Sequence, residues 1–282
     1  MESRSGGFAW VPHLVLLIGA ALVVFPIYVT FVASTLTPSE ILAGPMTLLP
    51  GSHLVENYLA ALTHGTAFIS GQPVARLMAN SLIVALVVAI GKIVISLLSA
   101  YAVVFFRFPG RMICFWMIFL TLMLPVEVRI LPTYQITANL GMVDTYGGLT
   151  IPLIASATAT LLFRQFFLTL PDELVEAAKL DGAGPMRFFV DTVLPLSATN
   201  MAALFVILFV YGWNQFLWPL LVTNSASMTT IVIGIKSMIG GGDSQTPWHI
   251  VMATTILAML PPMAVVLLMQ RWFVKGLVDS DK

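Results

Sequence analysis

Lys92, Glu127, Arg129 and the run Trp213, Asn214, Gln215 stand inside stretches that are otherwise almost wholly apolar. An arginine offers a planar fork that grips a phosphate or carboxylate through two hydrogen bonds, and a lysine offers a point charge. Asparagine, glutamine and an indole face offer hydrogen bonds and a stacking surface to a polyol. Each group also has a plain structural account. Glu127 and Arg129 would serve as a buried ion pair between broken helices, or Arg129 would snorkel to the membrane edge. Asn214 and Gln215 would bridge neighbouring helices. No metal-ligand cluster, paired carboxylates or nucleophile with a base at useful spacing occurs, which leaves an enzyme reading without a site.

A fourth group lies outside the apolar runs. Residues 176–195 read EAAKLDGAGPMRFFVDTVLP. Pro171 suits a helix start, and Asp172 and Glu173 place negative charge at the positive end of its dipole. Leu174, Ala177 and Ala178 share one face, and Glu176 can reach Lys179 across a turn. Gly182 suits the left-handed stop, and Asp181 precedes it. Pro185 then opens a second helix, on which Met186, Phe189, Val190 and Val193 form an apolar stripe. Two alanines in mid-face admit another backbone at close range. The bland alternative is a helix lying on the membrane surface.

The elements that position these residues are membrane helices. Of 282 residues 59% are hydrophobic and 9% charged, against about a quarter charged in soluble domains. The expectation is an all-α polytopic membrane protein with six spans, at about 10–34, 79–106, 112–131, 146–168, 199–222 and 250–270. Each approaches the ~20 residues that cross a bilayer. The first apolar run exceeds the core of a signal peptide and lacks a small-x-small cleavage site, so it reads as an uncleaved span. Internal prolines Pro26, Pro125, Pro219, Pro261 and Pro262 predict kinked or broken helices. Between Pro125 and Pro132 an extended backbone would turn Glu127 and Arg129 into one cavity. Residues 35–78, rich in Gly, Pro, Ser and Thr, read as an irregular external loop with one short helix.

Basic residues set the orientation. Arg4, Arg107, Arg111, Arg164, Lys179, Arg187, Arg271, Lys275 and Lys282 all fall on one side if both termini are cytoplasmic, leaving only Arg76, Arg129 and Lys236 opposite. By the positive-inside rule the insert at 169–198 is then cytoplasmic. Lys92 lies about ten residues into its span, ~15 Å deep and near the bilayer centre. Ser96 and Ser99 continue its face as a polar seam, and exposure to lipid would cost at least ~2.5 kcal/mol. Gly91 and Lys92 do not make a phosphate loop, because the upstream glycine and the following Ser or Thr are missing. With 13 basic and 13 acidic residues, nothing suggests nucleic acid as a partner. Cys114 has no second cysteine to pair with.

Glu176, Ala177, Ala178, then Gly182, then Leu194 and Pro195 resemble the EAA loop of binding-protein-dependent ABC importer permeases, with Thr192 where that family has isoleucine. YGWNQFLWPLL, residues 211–221, is similar to the fifth span of the maltose-type carbohydrate permeases, and the tail after Arg271 is similar to the tails that touch the ATPase there. Residues 115–133 and 164–189 look like the smaller permease subunits of bacterial sn-glycerol-3-phosphate importers. The resemblance implies a single transmembrane domain over 1–282 in the inner membrane, forming half of a heterodimeric pore for glycerol phosphate, with glycerophosphodiesters as a further substrate class. Residues 169–198 would be the coupling loop. The partners implied are a second permease subunit, a homodimeric cytoplasmic ATPase, an external substrate-binding protein and the lipid bilayer. No cofactor is expected in this chain, and ATP and Mg would sit on the ATPase. In that frame Arg129, with Lys92, would help to pass the phosphate while Glu127 orients the arginine. Two alternatives stay open: a related sugar or polyol importer, and an ion-coupled secondary transporter. The latter predicts acidic or histidine relays within spans, and only Glu127 qualifies, since His13 and His249 lie at edges.

Overall fold

A computed structural model describes residues 10–64, 66–124, 126–239 and 246–278. Pro125, the side chain of Glu127 and the side chains from Trp272 onward lie outside that description. Among the described residues every regular element is helical. The helices are α1 (Val11–Ser34), α2 (Pro38–Leu42), α3 (Leu54–His64), α4 (Val74–Phe105), α5 (Arg111–Met123), α6 (Val126–Asn139), α7 (Tyr146–Thr150) and α8 (Ala157–Phe167). They continue with α9 (Asp172–Leu180), α10 (Pro185–Phe188), α11 (Leu194–Leu196), α12 (Ala198–Trp213), α13 (Leu217–Val222), α14 (Ile231–Met238) and α15 (Trp248–Val278). The chain divides into two compact units, residues 1–75 with 234–260 and residues 76–233 with 261–282.

α1, α4 and α15 as far as Arg271 are long and apolar enough to cross a membrane. Two further pairs qualify as broken spans: 146–153 with α8, bent by 46°, and 185–196 with α12, bent by 70°. The expected span at 112–131 is divided. α5 ends at Met123, and a separate helix, α6, carries residues 126–139 with Pro132 inside it. The extended segment expected between the two prolines is therefore helical. Positions 127 and 129 lie about 200° apart around it, which removes the reason to expect them in one cavity. The expected span at 199–222 is likewise broken, at residues 214–216. Residues 35–78 hold two short helices, α2 and α3, a 3₁₀ turn at Ala67–Ile69 and the start of α4, where one short helix was expected.

In the smaller unit the end of α1 is tied to the segment that follows it. The buried Asn57 of α3 donates from Nδ2 to the carbonyls of Ser34 and Leu36, both at 2.9 Å. The Gly51 N–H donates to Thr35 Oγ1 at 2.7 Å. A side chain at position 51 would meet the Thr35 carbonyl at 2.6 Å, so glycine is required there. Thr37 caps α2 reciprocally with Glu40. The donated Thr37 N–H holds the Glu40 carboxyl below its ordinary range.

The larger unit is built along α4. Val84 and Val88 pack with Ile130 of α6, Leu149 of α7, and Trp218 and Val222 of α13. Two glycine contacts set the spacing. A Cβ at Gly212 would lie 2.9 Å from the Cα of Ala85, so α12 and α4 meet backbone to backbone. A Cβ at Gly91 would meet Ile154, at the break between α7 and α8, at 2.7 Å. In lipid such helices associate by van der Waals packing rather than by water exclusion, which favours small residues at the seam. Ser96 Oγ reaches the Ser156 carbonyl at 3.2 Å and pins the same break. α4 stops at Phe105 because Pro109 disfavours helix before it and Gly110 turns the chain at φ 82°.

At the other end of the unit a polar clamp fixes the loop after α13. Asn80 Nδ2 donates to the carbonyls of Ser227 and Thr229, both at 2.9 Å, and Asn80 Oδ1 accepts from the Tyr146 hydroxyl at 2.7 Å. Asp144 Oδ1 accepts from the N–H groups of Asn224 and Ser225 at 2.7 and 2.9 Å, and from the Ser225 hydroxyl. The Ser225 and Asn224 N–H groups favour the ionised carboxylate and lower its pKa.

Two outcomes follow from these contacts. Gly212→Val should lower the thermal midpoint of the purified protein in detergent, at a cost of about 1–3 kcal/mol for overpacking a seam that is closed at the backbone; an unchanged midpoint would refute the seam. For Asp144 the folded-state pKa is depressed, so its contribution is present above the unfolded carboxylate pKa and lost as pH falls through the folded value. Thermal midpoints of the wild type and Asp144→Ala should differ at neutral pH and converge in acid, whereas parallel curves would show that the clamp does not depend on the charge.

Candidate functional site

The insert at 169–198 folds as two helices joined by a glycine turn. α9 begins after Pro171, with Asp172 and Glu173 in its first turn and Lys179 in its last. It ends where the Asp181 N–H bonds the Ala177 carbonyl and the Ala183 N–H bonds the Ala178 carbonyl at 2.8 Å. Gly182 turns out of the helix at φ 70°, a conformation that costs a residue with a Cβ about 1–2 kcal/mol. Leu174 and Ala178 are half-buried, while Glu176, Ala177, Lys179, Asp181 and Gly182 are exposed. Leu180 is 89% exposed. The Glu176 to Lys179 pairing does not form. Among the described residues the ion pair of the insert runs between Arg187 Nε and Asp191 Oδ2 at 3.2 Å.

The second half departs from the expected stripe. Phe188, Phe189 and Val193 are buried, but Met186 and Val190 are 66% and 49% exposed. The cause is a π-type turn over Phe189–Val193, whose wider winding shifts the inward face away from the 3.6-residue register. At Ser197, fully buried, the chain bends into α12, and the Ser197 hydroxyl bonds the Val193 carbonyl at 2.6 Å.

An aromatic cluster fastens the insert to the larger unit. The Tyr101 hydroxyl donates to the Pro185 carbonyl at 2.6 Å, and its ring lies 4.8 Å from Phe189. Phe105 meets Phe188 edge-on at 5.4 Å and Phe167 at 5.9 Å, and Phe167 stacks on Phe163 at 6.2 Å. These rings come from α4, α8 and the insert. The signal available in the sequence was the pairing of aromatics four apart, Tyr101 with Phe105 and Phe163 with Phe167, which places both members on one helix face. Nearby, Arg164 of α8 lies 4.3 Å over the Phe115 ring of α5.

Among the membrane charges, Lys92 is 7% exposed near the middle of α4. Its Nζ sits 4.0 Å from the centroid of the Tyr211 ring on α12, a cation–π contact. Ser96 is fully buried and Ser99 half-buried, as a seam on that face requires. Arg129 is exposed on α6. Among the described residues no carboxylate pairs with either cation. The orienting role expected of Glu127 rests on a side chain outside the described residues. Trp213 is buried at 2% exposure, apart from its exposed neighbours. Asn214 Nδ2 and Gln215 Nε2 bond the carbonyls of Val210 and Tyr211 at 3.0 and 3.3 Å, back onto the helix that precedes them. Among the described residues neither bond bridges helices, contrary to the plain account of those amides: both residues lie just past the end of α12, where its unpaired carbonyls are at hand.

The comparisons with known proteins bear on the whole chain. The sn-glycerol-3-phosphate transport system permease protein UgpE of Brucella melitensis is 63% identical over 270 residues, covering 96% of each chain. The proteins of the same name from Agrobacterium fabrum and Rhizobium meliloti are also 63% identical, each covering 96% of both chains. The crystal structure of a bacterial ABC transporter involved in the import of the acidic polysaccharide alginate contains a chain with the same fold. The match has a TM-score of 0.81 over 97% of this chain and 99% of that one, at 20% identity. Residues 92–279 match the family described as the binding-protein-dependent transport system inner membrane component. With the buried lysine, the broken helices and the exposed two-helix insert in place, the chain belongs to that family of inner-membrane transport permeases.

Proposed function

We propose that this chain is the permease subunit of an ATP-driven importer of sn-glycerol-3-phosphate, forming half of a heterodimeric pore. The observation that carries the reading is the 63% identity to UgpE proteins along 96% of both chains. Six passages through the membrane fit the helices if α5 and the start of α6 share one of them, and the distribution of Arg and Lys puts both termini in the cytoplasm. Both compact units then belong to one transmembrane domain. The partners are a second permease, a homodimeric ATPase that holds ATP and Mg, and an external binding protein. This chain supplies no nucleotide site and no cofactor of its own.

Residues 169–198 serve as the coupling loop. Leu174, Glu176, Ala177, Ala178, Asp181 and Gly182 meet the ATPase, Ala177 at the centre of an exposed face that admits a second backbone. Closure of the ATPase draws on the loop, and the aromatic cluster around Tyr101 passes the displacement to α4 and α8. The helices rock between inward-open and outward-open states about a site near the midplane. The loop must contact the ATPase differently in the two states, since only differential affinity shifts an equilibrium. Arg129 and Lys92, with Glu127, Trp213, Asn214 and Gln215 nearby in sequence or space, line the substrate pathway.

Ala177→Cys, in an otherwise cysteine-free importer assembled in nanodiscs, should cross-link to the ATPase subunit, and deletion of residues 172–184 should abolish ATP-driven uptake. Capture of no ATPase, or uptake surviving the deletion, overturns the coupling role. Uptake driven by a sodium or proton gradient with the ATPase removed would instead establish a secondary transporter.

A further inference from the structure

We propose that Arg164 is a positioning residue that carries the displacement of the insert onto α5, through the guanidinium it holds over the Phe115 ring. The proposal rests on the coupling reading of residues 169–198 and extends it to a helix that the ring cluster around Tyr101 does not include.

The path begins at the root of the insert. Residues 168–171 separate α8 from α9. The N–H groups of Leu168, Thr169 and Leu170 bond the carbonyls of Arg164, Phe166 and Phe167 at 3.1, 2.9 and 3.3 Å, and the Leu174 N–H bonds the Pro171 carbonyl at 3.2 Å. With so little slack the last turn of α8 follows α9 when the insert moves. Arg164 stands in that turn. Phe163 and Phe167 on either side of it are buried and belong to the ring cluster. Arg164 reaches the other way, to α5, with its Cζ 4.3 Å from the centroid of the Phe115 ring. Phe115 in turn meets Phe119 at 6.2 Å, so a push on its ring passes to the next turn of α5.

Stability alone does not account for an arginine here. Its Nε is shut off from solvent and has no hydrogen-bond partner, and among the described residues the guanidinium makes no ion pair. A buried donor left unmade costs stability, and the ring face offsets part of that cost. A methionine would reach the same ring through its sulfur and leave no donor unmet. Departures of this kind from local consistency mark groups held for function. What the guanidinium adds is an attraction that survives motion. A hydrogen bond weakens steeply when its donor is misaligned, whereas a cation can slide over a ring face and stay attracted to it. The contact thus keeps α5 engaged while α8 tilts.

The test uses the assembled importer in proteoliposomes with saturating binding protein loaded with sn-glycerol-3-phosphate, and reads the ATP hydrolysed per substrate molecule imported beside the thermal midpoint of the complex. Arg164→Met should leave the midpoint at or above that of the wild type yet raise the ratio about fivefold, a factor within the range of one cation–π contact. Arg164→Lys, which keeps a cation, and Phe115→Trp, which keeps a ring, should both hold the wild-type ratio within about twofold. Phe115→Leu should raise the ratio as Arg164→Met does, and the double variant should do no more than either alone, because both remove one contact. An unchanged ratio in Arg164→Met, or a double variant whose effect is the product of the two singles, overturns the link while the coupling role of the insert stands. A lowered midpoint or failed assembly in Arg164→Met overturns it also, by showing that the residue serves packing. A wild-type complex whose hydrolysis is indifferent to loaded binding protein removes the coupling reading itself, and the link with it.

Discussion

The close approach of α4 and α12 at Ala85 and Gly212 is the constraint on which the larger unit depends. With backbones that near, the helices cannot slide or rotate without collision, so residues further along each are held in register. Tyr211 adjoins Gly212 in sequence, and Lys92 lies two turns along α4 from Ala85, so the same contact delivers the ammonium to the ring. A large side chain at position 212 would separate Tyr211 from Lys92. In a bilayer, where the lipid tails are as apolar as the helices, no hydrophobic gain would draw them back together.

The two ends of this unit are built differently. Near the start of α4, polar side chains grip backbone: Asn80 holds the Ser227 and Thr229 carbonyls, and Asp144 holds two N–H groups of the same loop. Near its end, aromatic rings do the work, with a single hydroxyl bond from Tyr101 to Pro185. A hydrogen bond depends steeply on direction, whereas tilted rings tolerate small rotations. The clamp therefore fixes its loop in place, and the ring cluster permits adjustment of the insert without losing contact.

Much of this was legible in the sequence, for stated reasons. The apolar runs announced membrane helices, Gly182 announced the stop of α9, and a lysine in the middle of an apolar helix had to be buried against protein. The failures share a cause. The stripe on the second insert helix was read at 3.6 residues per turn, and the π-type turn at Phe189–Val193 put Phe188 inward where Met186 was expected. The 112–131 span was read through a break, because apolar composition does not say which proline ends a helix and which is tolerated. Asn214 and Gln215 found partners in the last turn of the helix before them, and Asp144 found its partners some 80 residues away. Local periodicity carries no information on either. Family resemblance located the insert, but its anchoring rings came from helices that the motif does not include.

The 70° bend at Ser197 has a mechanical meaning. Residues 185–196 form an arm of about 18 Å and α12 a shaft of about 24 Å, at 1.5 Å per residue. With the elbow buried and hydrogen-bonded, arm and shaft would turn together as a bell crank, taking α4 with them through the Ala85–Gly212 contact. Displacing the Pro185 tip by about 3 Å would turn the crank by roughly 10°, and the opposite tip of the shaft would sweep about 4 Å, by the same helix lengths. A stroke the size of one side chain would thus become a slightly larger sweep at the end of α12, where Tyr211 resides.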